Sequence, residues 1–312
     1  RNITYGNRCT AGSMWNNYLP NPHFVESFET ATGEKFNWDN YLPGYSTMKE
    51  KERVVFFLRD GLSAAEKERM TAYGADMSKY LDSGNEARIK KAYESRDPRL
   101  QMAVITPYAQ YNGASSGIAH TYTLRWPYRG SDSAEPFDIR TDTNDKFYYL
   151  WRKFVPEGLE QTERDTYGLD IPLIRYAEVL LLKAEALNEW GSTHESEAIR
   201  CVNEVRRRAG HVELNNATYP ATKVNGQSDL RERIRNEYYW EIGGEDSMYF
   251  HELRWGTWKD KKFDNNRNGL MQMWGETTYT WYWLGDQCWS WPIPAKEMEM
   301  NSNLEQNEGW IN

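Results

Sequence analysis

The sequence is poor in several features that would point to a particular class of protein. Its three cysteines, Cys9, Cys201 and Cys288, are widely spaced and form neither a CxxC pair, a zinc pattern nor a disulfide framework. No stretch approaches the roughly 20 consecutive apolar residues of a membrane-spanning helix. The net charge is -8 and the basic residues form no long patch, which argues against nucleic acid as a partner.

Signatures of catalysis are also scarce. The five histidines are scattered, and the run from Phe250 to Leu253 lacks the second histidine of an HExxH zinc helix. The chain has 46 acidic residues, so carboxylate pairs can be found anywhere and carry little weight. We therefore expect a protein that binds its ligand without cleaving it.

Aromatic residues are what the sequence has in excess. It contains 14 tryptophans and 21 tyrosines, and nine of the tryptophans fall between Trp240 and Trp310. These side chains combine a large apolar face with a polar group, so they suit both buried cores and stacking platforms. Within the densest run, Tyr279 to Pro294, we predict that Trp289 and Trp291 pack against the preceding helices as framework.

A helical hairpin is predicted in the second half of the chain. Apolar residues at helical spacing, with Pro172 in the first turn and Gly191 after the last, predict one helix. Its predicted buried face consists of Ile174, Ala177, Leu181, Ala184 and Leu187. A second helix is expected from a cap at Ser192 to Gly210, and the 34 residues from Ala177 to Gly210 equal one tetratricopeptide repeat.

The first half of the chain is rich in loops. Asp97–Tyr108 and Asp145–Gly158 each favour a short strand, and Ser116–Asp138 favours a polar loop that carries aromatic residues. The predicted fold class is mostly α, with an irregular, loop-rich region that contains a few short strands. We divide the 312 residues into a loop-rich ligand-binding region, 1–169, and a helical region with a tail, 170–312.

Five segments in order give the sequence a family resemblance. They are "DIPLIRYAEVLLLKAEALNEWG", "AIRCVNEVRRRAG", "LRERIRNEYYWEIGGE", "FHELRWG" and "WPIPAKEMEMNSNLEQNEGW". Together they resemble the C-terminal signature of the SusD/RagB family of surface lipoproteins, which capture nutrients for TonB-dependent transporters. "NPHFVESFETATG" and "ESRDPRLQMAVI" resemble segments further upstream. The chain departs from the family pattern at Met248, where an arginine is usual, and at His251, where an aspartate is usual.

The resemblance implies a SusD-like fold with a tetratricopeptide-type helical hairpin as its frame. It also implies a glycan-binding component of a nutrient uptake system, which passes oligo- or polysaccharide to a SusC-like TonB-dependent outer-membrane transporter, with other surface lipoproteins as further partners. The expected location is the extracellular face of the outer membrane, with a lipid anchor on an N-terminal segment that this chain lacks. The family's N-terminal helical part is expected to be absent here as well.

Three other functions remain open at this point. Relatives of the RagB type imply an oligopeptide ligand on the same fold. A glycan-cleaving enzyme would need two carboxylates about 5–10 Å apart in a cleft. A tetratricopeptide scaffold for protein interactions would need several stacked repeats, whereas the sequence shows one.

The ligand site is predicted on aromatic loops, where exposed rings are tolerated. The candidates are Trp15, Asn16, Tyr18, Trp38, Tyr41, Trp126 and Tyr128. Asn17 and Asn40 are further hydrogen-bonding candidates for ligand hydroxyls. No organic cofactor is expected, but Asp264, Asn266 and Asn268 alternate before Gly269 as in the first half of a calcium loop. Gly275 stands where such a loop needs glutamate, so a polar turn is the competing interpretation.

Overall fold

The computed structural model describes residues 2–10, 13–115, 117–129, 135–139, 146–159, 168, 170–263 and 269–311. It divides into two compact units. The first contains Arg1–Glu245 and Met271–Glu276, and the second contains Asp246–Leu270 and Thr277–Asn312. The predicted division between residues 169 and 170 therefore falls inside the first unit.

Helices dominate the described residues, which confirms the predicted fold class. Those of the first unit are α1 Asn2–Tyr5, α2 Pro22–Ser27, α3 Glu50–Arg53, α4 Ala64–Tyr73, α5 Asn85–Glu94, α6 Pro98–Ala103, α7 Tyr176–Trp190, α8 Glu195–Ala209 and α9 Gln227–Ile242. The second unit contains α10 Ser247–Arg254, α11 Trp258–Phe263 and α12 Ala295–Met300. Short 3-10 helices cover Trp38–Asn40, Tyr45–Thr47, Val54–Phe57, Met77–Lys79, Ser192–His194, Pro220–Thr222 and Asp286–Trp289. Throughout the described part of the chain, no helix is both long and apolar enough to cross a bilayer.

The strands are few and short. They are β1 Val104–Ile105, β2 Gln110–Ser115, β3 Ile118–Thr123, β4 Leu150–Trp151, β5 Leu270–Met271 and β6 Thr277–Tyr279. β1 and β4 pair antiparallel, so both predicted strand regions contain a strand, although the first of them opens with α6.

The β2–β3 hairpin corrects the prediction of a polar loop. Tyr111 and Tyr122 lie directly opposite each other in its antiparallel register, and both are fully buried. Gly113 lies so close to the N-terminal segment that a Cβ there would stand 2.2 Å from the carbonyl oxygen of Cys9. The strands therefore depend on contacts far away in sequence, which the local composition does not reveal.

The helical hairpin of α7 and α8 forms as expected, with two corrections at its helix starts. α7 begins at Tyr176, so Pro172 lies before the helix instead of in its first turn. Ser192 begins a 3-10 turn, and His194 rather than Ser192 occupies the N-cap of α8. Gly210 ends α8 in the left-handed conformation, with φ 73°.

The buried face of α7 is also partly corrected. Leu181, Ala184 and Leu187 are buried as predicted, whereas Ile174 is largely exposed and precedes the helix. α7 makes most of its contacts with α8 and α9. Tyr176 and Trp190 lie on its exposed side.

A buried ionic network joins this helical frame to the loop-rich region. Arg99, which follows the N-cap of α6, donates to Asp97 at 2.6 Å and to Glu237 of α9 at 2.6 Å. Arg206 of α8 is fully buried and donates to the other oxygen of Glu237 at 2.9 Å. It also donates to Glu29, beyond α2, at 2.9 Å. These four contacts fix the loops around α2 and α6 against α8 and α9.

A second set of ion pairs holds the end of α9. Arg175 donates to Glu241 at 2.8 Å and to Glu245 at 2.7 Å. Lys153 donates to the Glu245 carboxylate at 2.6 Å and to the backbone oxygens of Glu241 and Gly243 at 2.9 and 3.1 Å. The turn after α9 is therefore clamped by side chains from two distant segments.

The buried carboxylates of this network have lowered pKa values. Burial alone would raise the pKa of Glu29, but its hydrogen bond with His211 and the charge of Arg206 outweigh burial. Burial also opposes ionisation of Asp97, and the hydrogen bond and charge of Arg99 nevertheless lower its pKa. Burial is likewise outweighed at Glu245, where Arg175 and Lys153 lower the pKa. Folding therefore favours the ionised form of each of these groups.

Acid is expected to unfold the protein through these groups. A lowered folded-state pKa stabilises the protein above the unfolded-state values of about 4, and that stability is lost as the pH falls through the folded-state pKa. The free energy of unfolding should be nearly constant from about pH 7 to 5 and fall below about pH 4. Urea titrations across this range would measure it.

Glu29→Gln supplies the control for this experiment. Glutamine does not titrate, so the acid slope of the unfolding free energy should decrease by up to about 1.4 kcal/mol per pH unit, the contribution of one proton. Glu68→Gln, on the exposed side of α4, should leave the slope unchanged. Equal slopes in all three proteins would contradict the assignment.

Candidate functional site

Two exposed rings of the N-terminal loop are the most accessible of the predicted site residues in the first unit. Tyr18 is 62 % exposed and Trp15 is 43 % exposed. Tyr18 lies against Tyr5, with ring centroids 6.0 Å apart and planes at 59°. Tyr5 in turn stacks on Trp151 of β4, at 5.4 Å and 19°. Tyr18 thus lies against a pair of stacked rings, Tyr5 and Trp151, and we call these three residues the ring stack.

The sequence predictions did not include Tyr5 and Trp151 in the site. Trp151 appears in the sequence as part of an apolar strand, and Tyr5 lies in a short segment without helical or strand periodicity. Phe24 of α2 packs beside Trp151, with ring centroids 5.6 Å apart. No local signal links these three segments, because they meet only in the folded chain.

Asn16 lies between the two exposed rings but points inward. It is buried, has a φ of 39°, and its backbone N–H donates to the Gly6 carbonyl at 2.8 Å. Asparagine is among the residues that tolerate this left-handed region. Its side-chain oxygen has no hydrogen-bond partner among the described residues. Asn17 is exposed beside it. Asn16 therefore shapes the loop, and Asn17 offers its amide to solvent.

Trp38 is a core residue, and its neighbour Tyr41 is half-buried. Trp38 stacks on Tyr45 at 4.8 Å, and its indole N–H donates to Glu26 at 2.7 Å. Tyr41 stacks on Phe36 at 5.7 Å, and its hydroxyl is 2.7 Å from the Ser95 hydroxyl. Trp38 is thus almost completely covered by protein, whereas Tyr41 keeps part of its surface in water.

Trp126 is likewise buried in the core of the first unit. Its ring stacks on Phe147 at 6.1 Å and contacts Trp274 at 5.2 Å. Tyr128 follows two residues later and is half-buried. The structure thus brings Trp15, Asn16 and Tyr18 together in one loop and places Tyr41 and Tyr128 in two other loops.

The aromatic run of the second unit is only partly framework. Trp289 contacts Trp283 at 5.4 Å and Trp258 at 6.3 Å, as predicted for a packing residue. Trp291 is largely exposed, so its predicted packing is wrong. Its indole N–H donates to the Tyr249 hydroxyl at 3.2 Å, and this polar contact does not cover the ring.

The sequence contains one motif typical of serine hydrolases and one typical of calcium loops. Gly113 to Gly117 match the letters G-x-S-x-G, but a nucleophile elbow requires a turn from a strand into a helix. Here Ser115 ends β2 of a tight antiparallel hairpin, so the match is fortuitous. The predicted calcium ligands Asp264, Asn266 and Asn268 lie outside the described residues, and that prediction stays open.

Similar proteins support one family. The SusD family profile matches residues 1–310. The starch-binding protein SusD of Bacteroides thetaiotaomicron is 28 % identical over 161 residues, which are 51 % of this chain and 25 % of that protein. The SusD-like protein P38 of Formosa agariphila is 32 % identical over 139 residues, or 44 % of this chain and 24 % of that protein.

A solved structure shares the fold over nearly the whole chain. It is a SusD-like protein of Bacteroides fragilis, with 20 % identity and a TM-score of 0.57, covering 99 % of this chain and 50 % of that one. The chain thus spans about half the length of this solved relative, and its matched regions amount to about a quarter of each curated relative. Because the family profile covers nearly every residue, the chain belongs to the SusD family.

Proposed function

We propose that the protein is the glycan-binding component of a TonB-dependent nutrient uptake system at the cell surface. It captures oligo- or polysaccharide non-covalently and passes it to a SusC-like transporter. Family membership supports this role, as does the starch-binding relative among the similar proteins. An N-terminal lipid would hold the protein at the outer face of the outer membrane.

One observation carries the proposal: Tyr18, the exposed member of the ring stack, lies against the stacked rings of Tyr5 and Trp151. Tyr18 presents most of its surface to solvent, and its ring lies against Tyr5, which in turn stacks on Trp151. A flat, pre-positioned ring suits the apolar C–H face of a sugar, since little conformational freedom is lost on binding. The exposed amide of Asn17 lies within the same loop and can bond to hydroxyls.

Replacing Tyr18 with alanine is expected to weaken polysaccharide binding about fivefold, which corresponds to about 1 kcal/mol for one engaged ring. Affinity electrophoresis of the full-length protein in gels containing soluble starch or other polysaccharides would measure it. Tyr282→Ala, which removes an even more exposed tyrosine of the second unit, is the matched control and should change nothing. A loss confined to the Tyr282 variant would place the site in the second unit.

Affinity electrophoresis, together with peptide-binding and reducing-end assays, distinguishes the proposed glycan binding from the alternative functions. A wild-type protein that no polysaccharide retards, but that binds oligopeptides, would establish the peptide alternative. New reducing ends after incubation with a glycan would establish an enzyme. If neither glycan nor peptide bound, the tetratricopeptide scaffold would be favoured. Co-purification of the full-length protein with an outer-membrane transporter would test the proposed transfer of ligand.

A further inference from the structure

Two consecutive glycines, Gly243 and Gly244, lie directly against the rings that support the candidate site. A Cβ at Gly243 would come 2.7 Å from the ring of Phe24 and 2.4 Å from the Tyr239 carbonyl oxygen. A Cβ at Gly244 would come 3.0 Å from two ring atoms of Trp151. The turn therefore packs so closely against the rings of Phe24 and Trp151 that only glycine leaves room for them.

The same turn also holds Tyr5 through its backbone. The Tyr5 hydroxyl donates to the Gly244 carbonyl oxygen at 3.0 Å, while its ring lies parallel to Trp151. Gly244 thus contacts both lower members of the ring stack, one through space and one through a hydrogen bond. Its φ of +80° also lies in the left-handed region that favours glycine.

The turn is itself fixed from behind. Lys153 donates to the carbonyl oxygen of Gly243 at 3.1 Å and to Glu245 at 2.6 Å. Arg175 holds the same Glu245 carboxylate at 2.7 Å. Because these bonds hold the turn in place, we expect a side chain at Gly244 to displace Trp151 rather than the turn.

We propose that the Gly243-Gly244 turn is the positioning element of the glycan site, because it sets the height of Trp151 and the tilt of Tyr5 beneath Tyr18. This inference rests on the proposed function and adds to it a residue that touches no ligand. It predicts that a change at Gly244 reduces affinity by moving the ring stack while the fold is retained.

The test compares Gly244→Ala with Gly84→Ala in the full-length protein. Gly84 has a φ of +88° and no described atom within 4 Å of its would-be Cβ, so the backbone strain is matched without a neighbouring ring. Both variants should lose thermal stability through the same backbone strain, and Gly244→Ala should lose more because its methyl group also displaces the buried Trp151. Only Gly244→Ala should weaken binding to soluble starch, or to the polysaccharide that retards the wild type most, by about fivefold, the loss expected for one ring.

Two further variants separate positioning from general damage. Tyr5→Phe keeps the ring but removes the hydrogen bond to Gly244, and it should weaken binding with little change in melting temperature. Trp151→Phe shortens the ring that the methyl group introduced by Gly244→Ala would strike, so combining the two substitutions should restore part of the affinity. If Gly244→Ala does not fold, the affinity of Tyr5→Phe still tests the positioning role of the turn.

The outcomes distinguish this inference from the proposed function. If the wild type binds no polysaccharide, the proposed function itself fails. If the wild type binds and Tyr18→Ala weakens binding, but Gly244→Ala and Tyr5→Phe bind as tightly as Gly84→Ala, the positioning role alone is overturned. Equal losses of affinity in Gly244→Ala and Gly84→Ala would also overturn it.

Discussion

Replacing Arg206 with methionine is expected to lower the free energy of unfolding by about 3–5 kcal/mol, because it removes a buried cationic partner from two buried carboxylates, Glu29 and Glu237. Arg206 is fully buried and its guanidinium bonds to Glu29 and Glu237, both at 2.9 Å. A third bond runs to the Val212 carbonyl at 3.0 Å. Urea denaturation followed by circular dichroism would measure the loss.

The adjacent arginine provides the matched control. Arg207, on the same helix, is 64 % exposed. It pairs at 2.9 Å with Glu213, which follows the helix. Exposed pairs contribute about 0–1 kcal/mol, so Arg207→Met should change little. Similar losses in the two variants would show that the buried network is not a major source of stability.

Lowering the pH should partly reduce the loss of stability caused by Arg206→Met. The charge of Arg206 helps to hold the pKa of Glu29 below its ordinary value against the opposing effect of burial. Without that charge the pKa of Glu29 rises, and protonation then removes a buried charge that has lost one of its partners. The difference in unfolding free energy between variant and wild type should therefore be smaller at about pH 4.5 than at pH 7.

The helical hairpin could be predicted from sequence because its information is local. Leu181, Ala184 and Leu187 recur at the helical period, and they are buried as expected. The start of α7 was not predictable in the same way. Periodicity does not fix where a helix begins, and the apolar residues before Tyr176, including Ile174, lie exposed outside the helix.

The sequence predicted that the ligand site lies on aromatic loops, but it did not identify which loop forms it. The composition of the N-terminal loops drew attention to their aromatic rings, but contacts that are distant in sequence determine which of these rings are buried and which are exposed. Trp126 is buried by Phe147 and Trp274, and Trp38 by Tyr45. The ionic network was equally invisible, since Arg206 and Glu29 are 177 positions apart. Charged residues in a sequence usually indicate solvated surface, and only the fold shows which of them pair in the core.

Replacing Trp274 with alanine is expected to cost about 3–5 kcal/mol of stability, the loss typical of a large aromatic residue in a core. Trp274 is 1 % exposed and touches the rings of Phe57 at 5.9 Å, Tyr73 at 6.3 Å and Trp126 at 5.2 Å. Its indole N–H also donates to Glu276 at 3.0 Å. The segment Met271–Glu276 thus returns to complete the core of the first unit.

The matched control is a tryptophan on the surface of the same unit. Trp190 is 76 % exposed at the end of α7, so Trp190→Ala should cost less than about 1 kcal/mol. Trp126→Ala should resemble Trp274→Ala, and the double variant should lose less than the sum, since the two buried rings contact each other. Additive losses would show that the rings contribute independently. A stability loss at Trp126 without a direct effect on starch affinity in the folded protein would leave the ligand site with Trp15 and Tyr18.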